Sequence, residues 1–458
     1  MVRIPSDRAL NKEILRLSVP SIFANLTVPL VGMVDTALAG HLIDAEGGGS
    51  AVFIGAISVG AMMLNLLYWN MGFLRTGTGG LTAQAFGRQD PHECARIFAR
   101  GLGLAGAMSL IILLLQVPLS RLGVLLVSAT PRVCELALRY FIIRVWAAPA
   151  TVGLMVFRGW FVGMQDSMSS MWTDFVVNLT NIAASVLLTF GCFGWSGLGF
   201  DGIAAGTVVA QYCGLLFVSL VCAIKYGSVF RLLSARDVRA LFSAASLRPF
   251  LAMNGNLMGR SLCFTAIYMG YTIIASGFGD TLLACSSIMM QLLMIFSYFT
   301  DGFAYAGEAL TGRFIGARDA VMLRRTVRYV FLWSMGIGLL FVGVYAAVGV
   351  PLMRLFTSDA AVVEACRRFL PWLLVMPPLG CAAFTWDGIY LGATASKGLF
   401  LSMVAALLGF FALWFGFALF CPGATGDVLL HVLLAAYFAH LAARTIYLSA
   451  AYPREIKV

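Results

Sequence analysis

The chain has 458 residues, of which 60% are hydrophobic and 11% are charged, and its mean hydropathy is +0.90. Soluble domains are about half apolar and about one-quarter charged, so this composition excludes a soluble enzyme, a secreted disulfide-rich protein and a disordered chain. It predicts an all-α protein that crosses a membrane many times.

Twelve stretches are long and apolar enough to cross a bilayer, which takes about 20 residues for a helix. The first follows a polar, basic segment and is too long for the core of a signal peptide, so we expect it to remain as a membrane helix. The predicted spans are 14–38, 52–80, 97–117, 134–159, 170–191, 201–224, 247–275, 281–311, 326–349, 364–391, 399–420 and 428–450.

The charge distribution predicts the orientation of these spans. The formal net charge is +10, and 22 of the 31 Lys and Arg residues fall on the side of the N-terminus while six fall on the other. Because basic loops stay in the cytoplasm, both termini are predicted to be cytoplasmic. The basic residues lie in short segments without interleaved aromatic residues, which argues against nucleic acid as a partner.

The ten cysteines occur singly, with no CxxC pair and no Cys/His cluster. This pattern predicts neither a metal site nor a disulfide framework, and we expect the thiols to fill space between helices. No bound cofactor is expected.

The two halves of the chain repeat at a constant offset of 229 residues, which for example relates Pro20 to Pro249. Each half holds six spans, an even number, so the halves enter the membrane in the same orientation. We therefore predict an N-terminal lobe (1–224), a cytoplasmic linker (225–246) and a C-terminal lobe (247–458), with a cavity between the lobes. Further matching pairs include Asn25 and Asn254, Gly87 and Gly316, Asp90 and Asp319, Pro149 and Pro378, and Gly159 and Gly388. Duplicated six-helix lobes are typical of secondary transporters rather than of channels.

Asp35 lies in the first span, one to two turns beyond Pro29 and Gly32, which can bend a helix. An acid inside a span costs about 2.5–3.5 kcal/mol on insertion scales, and a buried carboxylate can alternate between neutral and charged forms. Asp35 is thus predicted to carry a proton or to bind Na⁺ or a cationic substrate. The alternative is a carboxylate held permanently by Arg or Tyr partners.

The fifth span carries a polar stripe that could complete a site with Asp35. Its members are spaced i, i+4, i+7 and i+11 and so share one helical face. They are Asp174, Asn178, Asn181 and Ser185. The alternative is hydrogen bonding that only holds packed helices together.

The second lobe has a different set of charges inside its spans, namely Arg260, Asp301, Glu308 and Asp387. Asp301 and Glu308 share a helical face. Arg260 lies at a similar depth in the membrane, where it could pair with Asp301. These groups are either a proton or cation relay or a structural set of ion pairs.

Polar, aromatic and methionine side chains in the second and eighth spans are expected to line a substrate cavity, because methionine and aromatic residues adapt to varied ligands. They are Met63, Asn65, Trp69, Asn70, Met290, Gln291 and Tyr298.

Four stretches resemble the multidrug and toxic compound extrusion (MATE) family, in particular its DinF-like branch. They are VPLVGMVDTALAGH (28–41), FLRTGTGGLTAQAFG (73–87), DGFAYAGEALTG (301–312) and DGIYLGA (387–393). The resemblance implies two six-helix lobes, export of organic compounds in exchange for H⁺ or Na⁺, and a coupling role for Asp35. Ser185 stands where the family leads us to expect Asp. Arg260 is the charged residue nearest to a seventh-helix acid that forms a Na⁺ site in other branches, which favours H⁺ over Na⁺.

Taken together, the sequence predicts a monomeric H⁺-coupled antiporter of the inner membrane that expels cationic or amphipathic organic compounds. The alternatives are a Na⁺-coupled multidrug antiporter, a flippase for lipid-linked precursors, a membrane enzyme and a channel. An enzyme is disfavoured because the four histidines, His41, His92, His431 and His440, are dispersed among the predicted span ends and loops.

Overall fold

A computed structural model describes residues 7–42, 49–125, 130–192, 194–234, 243–357, 359–421, 423 and 426–456. Within these residues the chain forms twelve helices long and apolar enough to span a membrane, which confirms the predicted architecture. They are α1 (Asp7–Gly40), α2 (Ser50–Gly87), α3 (Pro91–Leu114), α4 (Pro131–Gly163), α5 (Ser167–Phe190), α6 (Phe200–Phe230), α7 (Ala244–Ser276), α8 (Asp280–Gly316), α9 (Ala320–Phe356), α10 (Ala360–Gly392), α11 (Ser396–Phe420) and α12 (Gly426–Glu455).

Two of these helices are interrupted. α2 consists of Gly49–Asn70 and Phe73–Gly87, joined by a turn, and α4 changes to a 3₁₀ turn over Val145–Ala147. A short extra helix, Gln116–Leu125, follows α3. In contrast, α1 is helical without a break through Pro20, Pro29 and Gly32.

Aspartate caps begin corresponding helices of the two halves. The Asp90 side chain accepts a hydrogen bond from the backbone N–H of Glu93 at 2.9 Å, and Asp319 accepts one from Met322 at 2.9 Å. Capping satisfies an N–H that has no partner inside the helix, which is why α3 and α9 start at these points.

The repeat is also visible in the backbone conformation. Gln89 and Arg318 have φ of 57° and 56°, and Gln165 and Thr394 have φ of 62° and 56°. Positive φ is uncommon for residues other than glycine. Both pairs keep the register of the repeat, so the two halves turn between helices in the same way.

Contacts divide the chain into two compact units. The C-terminal unit contains Pro249–Val458 with Met1–Ile22 and Ala83–Gln89, and the N-terminal unit contains Phe23–Thr82 and Asp90–Arg248. The lobe and linker boundaries remain a prediction. Of the linker expected at 225–246, the first six residues belong to α6, and residues 235–242 lie outside the described residues.

Each unit has its own apolar core, and large apolar side chains also remain on the outside. In the C-terminal unit, Phe296, Phe369 and Phe410 are buried completely. At the ends of helices, Leu419 and Phe420 are 79% and 87% exposed, as expected for side chains that contact lipid.

Candidate functional site

Asp35 is a buried carboxylate in the N-terminal unit. It is 2% exposed, and its Oδ1 atom has no hydrogen-bond partner. Buried polar atoms are normally paired, so this carboxylate oxygen is available to accept a hydrogen bond.

Two residues of α4 surround this carboxylate. Tyr140 forms a hydrogen bond with the Asp35 carboxylate, and the positive charge of the Arg144 guanidinium attracts that carboxylate. Arg144 also donates a hydrogen bond to the Tyr140 hydroxyl, and its guanidinium carbon lies 5.4 Å from the centre of that ring. One turn of α4 thus presents a phenol and a cation to a single acid.

Tyr140 is held in place by its packing. Its side chain is completely buried, and its ring contacts Phe200 with the ring centres 6.2 Å apart. Opposite it on α2 stands Gly60, where an added Cβ would lie 2.6 Å from Cδ1 of the Tyr140 ring. Only a glycine at position 60 leaves room for the ring in this position.

The polar stripe of α5 contacts three different neighbours. Asp174 forms a salt bridge of 2.5 Å with Arg158, Asn178 donates a hydrogen bond of 2.6 Å to Thr27, and Asn181 donates one of 2.9 Å to Thr207.

Ser185 donates a hydrogen bond of 3.5 Å to the carbonyl oxygen of Ile203 and is fully buried between α5 and α6. The structure therefore gives each of the four stripe residues a partner other than Asp35. These contacts are of the kind that holds helices together. A coupling role for the stripe stays a prediction.

In the C-terminal unit, two helices each bring an arginine to one carboxylate on a third helix. The Oδ2 atom of Asp387 accepts a hydrogen bond of 2.5 Å from Arg260 and a second one from Arg444. The salt bridge of Arg260 is thus formed with Asp387 of α10, not with Asp301 of α8 as depth suggested. Arg444, which the sequence did not single out, is 1% exposed.

The two acids of α8 differ in how deeply they are buried. Asp301 is partly buried and interacts electrostatically with Tyr298, whereas Glu308 is fully buried. The carbonyl oxygen of Glu308 packs against Gly392 of α10. A shared site for these two acids stays a prediction.

The side chains expected to line a cavity are divided between the two units. In the C-terminal unit, Met290 and Gln291 line a cavity of about 150 Å³ together with Tyr268, Tyr271 and other residues. In the N-terminal unit, Met63 is buried against Gly123. The remaining residues are less enclosed, since Asn65 and Trp69 are exposed and Asn70 and Tyr298 are partly buried.

A further charged cluster lies at Asp166, between α4 and α5. Its carboxylate accepts hydrogen bonds from Lys225 at 2.6 Å, Tyr226 at 2.8 Å and the Ser169 hydroxyl at 2.6 Å. Burial alone would raise the pKa of Asp166, but the hydrogen bonds from Lys225, Ser169 and Tyr226 outweigh it, so this pKa lies below its ordinary value. The cluster ties the start of α5 to the end of α6.

Sequence reasoning missed Tyr140, Arg144, Arg444 and the partners of Asp166. One signal was available, because an arginine inside an apolar span requires a partner. That rule would have singled out Arg144 and Arg444, although it could not name the acids they serve.

Comparison with known proteins identifies the family. The sequence model of the MatE family matches residues 20–187 and 257–415. DNA damage-inducible protein F of Escherichia coli (strain K12) is 34% identical over 400 residues, covering 87% of this chain and 84% of that protein. Protein DETOXIFICATION 44, chloroplastic, of Arabidopsis thaliana is 23% identical over 448 residues, covering 91% and 81%.

Solved structures agree on the fold. The outward-facing conformation of a multidrug resistance MATE family transporter superposes with a TM-score of 0.84 at 18% identity, covering 98% of this chain and 97% of that one. A MOP superfamily transporter of Pyrococcus furiosus, described as having a binding pocket of reverse polarity, gives a TM-score of 0.82 at 17% identity with the same coverage. The family model, the E. coli relative and the shared fold lead to one conclusion: the chain belongs to the MatE family of multidrug and toxic compound efflux transporters.

Proposed function

We propose that this protein is an H⁺-coupled antiporter that exports amphipathic organic compounds, and that Asp35 is the residue that exchanges protons. The observation that carries the proposal is the Asp35 carboxylate, buried and with one orphaned oxygen, beside Tyr140 and Arg144. Burial disfavours the charged form of the carboxylate, whereas the positive charge of Arg144 favours it. A residue that takes up and releases a proton during each cycle needs such a balance.

Protonation of Asp35 changes its interactions with both neighbours. As a carboxylate it attracts the Arg144 guanidinium and accepts a hydrogen bond from Tyr140, whereas the neutral acid loses the attraction of opposite charges. The change of charge would therefore loosen α1 from α4. Rearrangement of α1 would alter the N-terminal unit and release substrate to the outside.

Coupling to H⁺ is preferred over coupling to Na⁺. A sodium ion would need several oxygen ligands around Asp35, and the nearby Arg144 cation opposes a second positive charge. In the C-terminal unit, Asp387 is already paired with two arginines. We place the protein in the inner membrane with both termini cytoplasmic, where it works as a monomer.

Substrate efflux from proteoliposomes tests the proposal. Vesicles are loaded with ethidium or 1-naphthalenesulfonate, and efflux is followed under a pH gradient and then under a Na⁺ gradient alone. We expect efflux under the pH gradient only, and we expect Asp35→Asn to abolish it. Asp280→Asn, which removes an exposed acid at the start of α8, serves as the matched control.

Efflux at the wild-type rate in Asp35→Asn would remove Asp35 from the mechanism. Efflux under the Na⁺ gradient alone would assign the coupling to Na⁺.

A further inference from the structure

The cluster around Asp387 holds more positive than negative charge. Arg260 of α7 and Arg444 of α12 both donate to the same carboxylate oxygen, Oδ2. Arginine stays protonated inside proteins, so this cluster pairs two cations with one anion. An uncompensated arginine in an apolar interior is costly unless another anion neutralises it.

His440 does not supply the missing negative charge. Its ring is fully buried one turn before Arg444, and its Nδ1 donates a hydrogen bond to the carbonyl oxygen of Tyr437. Imidazole is neutral or positive in every protonation state reached in a protein. The cluster therefore carries a net positive charge.

Several buried polar atoms of the cluster also have no hydrogen-bond partner. They are Oδ1 of Asp387, Nε of Arg260, Nε of Arg444 and Nε2 of His440. The two Nε–H groups are donors to which an anion can bind, whereas Oδ1 of Asp387 and Nε2 of His440 are acceptors and do not take part in anion binding. The Arg260 side chain is 21% exposed, so a ligand can reach the cluster at this residue.

The same unit contains an uncharged cavity. It measures about 150 Å³, and its walls include Tyr268, Tyr271, Ser286, Met290, Gln291 and Met294. The ring of Tyr271 contacts that of Tyr437 with centres 5.5 Å apart, and Tyr437 contacts His440 with centres 4.5 Å apart. Aromatic rings and methionines bind apolar bodies of varied shape, whereas none of the ten residues lining this cavity is charged.

We infer that the C-terminal unit binds amphipathic organic anions, with a carboxylate or sulfonate group at Arg260. The inference rests on the proposed transport function, in that it names the substrate class. The anion supplies the negative charge that Asp387 alone does not. An anionic lipid carries the same combination of charge and apolar body, so the test must separate these two sources.

Equilibrium binding to the full chain tests the inference without any ion gradient. The protein is placed in nanodiscs of phosphatidylcholine, and three naphthalene probes that differ in charge are compared: 1-naphthalenesulfonate, 1-naphthalenesulfonamide and (1-naphthylmethyl)trimethylammonium. We expect the sulfonate to bind at least tenfold more tightly than the neutral sulfonamide and the ammonium compound to bind most weakly. Equal affinity for the sulfonate and the sulfonamide would overturn the inference.

Two variants locate the site. Arg260→Gln should lower sulfonate affinity at least tenfold and leave sulfonamide affinity unchanged, while Arg260→Lys should retain the preference for the anion. The control is Arg367→Gln, which removes an arginine whose side chain is 67% exposed. Unchanged sulfonate affinity in Arg260→Gln contradicts the assignment. If that variant does not fold, the order of the three probes on the wild-type chain still decides the question.

Adding phosphatidylglycerol to the nanodiscs separates lipid from substrate. Undiminished sulfonate binding supports a transported anion, whereas displacement by the lipid would assign the site to a lipid headgroup and overturn the inference. Asp35→Asn should bind the sulfonate normally, because Asp35 belongs to the other unit. A failure of proton-driven efflux in the wild type would therefore not be confused with a failure of anion binding.

Discussion

Gly87 and Gly316, which occupy equivalent positions of the repeat, make the same contact in opposite directions within the C-terminal unit. A Cβ added to Gly87 would overlap the carbonyl oxygen of Arg313 in α8, and one added to Gly316 would overlap that of Gln84 in α2. Because Gln84 and Arg313 are also equivalent in the register of the repeat, the end of α2 and the end of α8 cross with twofold symmetry. The backbones are close enough that neither position accepts a side chain.

Replacing either glycine should therefore loosen this crossing. We expect Gly87→Ala and Gly316→Ala each to destabilise the protein by about 1–3 kcal/mol, as overpacking does, and to do so equally because the two contacts are equivalent. The measurement is unfolding of the purified protein in detergent. Gly336→Ala is the control, since nothing lies within 4 Å of an added Cβ at that position. A loss no larger than that of Gly336→Ala would show that the crossing does not limit stability.

The sequence predicted the repeat and the twelve spans because both depend on local information. Apolar length is read from composition, and Asp90 and Asp319 act on the turn of helix that immediately follows them. The contact between Gly87 and Arg313 joins residues far apart in sequence. The paired glycines indicated a repeat, but nothing in their spacing named the helix that each one meets.

The candidate site was harder to predict for the same reason. Tyr140 and Arg144 lie far from Asp35 along the chain, and no sequence periodicity links α4 to α1. The stripe on α5 shares one face, but from Asp174 to Ser185 it extends about 16 Å along the helix. That length exceeds the width of a single neighbouring helix, so its members bind different partners.

Similar depth in the membrane was a poor guide to ion pairing. Arg260 and Asp301 were matched by depth, yet Arg260 pairs with Asp387. Depth does not say which helices are neighbours, and packing around α10 decides the pair.

The hydroxyl of Tyr140 gives a prediction for coupling. Tyr140→Phe keeps the ring in its packed position but removes the group that acts on Asp35 and receives a hydrogen bond from Arg144. A hydrogen bond to a charged group is worth about 1.5–3 kcal/mol, so we expect pH-driven efflux to slow at least tenfold. Gly60→Ala should have a comparable effect, because its Cβ would push the ring away.

Gly106→Ala provides the comparison, since an added Cβ there has no atom within 4 Å. Initial efflux rates at equal amounts of reconstituted protein are the readout. Wild-type rates in both Tyr140→Phe and Gly60→Ala would mean that Asp35 works without Tyr140.

Asp166 predicts a dependence of stability on pH. Its pKa is lowered in the folded protein, so its contribution is complete above the pKa of an unfolded aspartate, about 3.9, and is lost as the pH falls through the lower folded value. Asp166→Asn should therefore be less stable than wild type at pH 7, by about 1–3 kcal/mol for the charged hydrogen bonds lost. The difference should shrink below about pH 4.

Thermal unfolding of the wild type and Asp166→Asn at pH 7, 5, 4 and 3 measures this difference. Asp90→Asn is the control, because Asp90 also caps a helix but the Asn side chain can replace it there. A gap between wild type and Asp166→Asn that stayed constant over this pH range would exclude the charge of Asp166 as its cause.

The ion pairs of Asp387 predict that Asp387→Asn and Arg260→Gln have strongly non-additive effects on stability. Asp387→Asn leaves Arg260 and Arg444 without their common carboxylate, and losing one partner of a buried ion pair costs about 3–5 kcal/mol. Adding Arg260→Gln removes one of the stranded charges, so the double variant should be more stable than Asp387→Asn alone. Unfolding by sodium dodecyl sulfate of wild type, both single variants and the double variant gives the interaction energy. Additive effects would show that the two residues are not energetically paired.

The effect of membrane potential on the efflux rate reveals the charge of the transported substrate. We take one H⁺ to enter for each substrate molecule that leaves. Export of a sulfonate then moves two net positive charges inward, export of a neutral compound moves one, and export of a monovalent cation moves none. Each charge is worth about 2.3 kcal/mol per 100 mV. A potassium diffusion potential, negative on the cytoplasmic side of the transporter, should therefore accelerate efflux of 1-naphthalenesulfonate most and leave that of (1-naphthylmethyl)trimethylammonium unchanged. Arg260→Gln should abolish the potential-driven efflux of the sulfonate while Arg367→Gln retains it. An equal response of the sulfonate and the ammonium compound would contradict both the one-proton exchange and the anionic substrate.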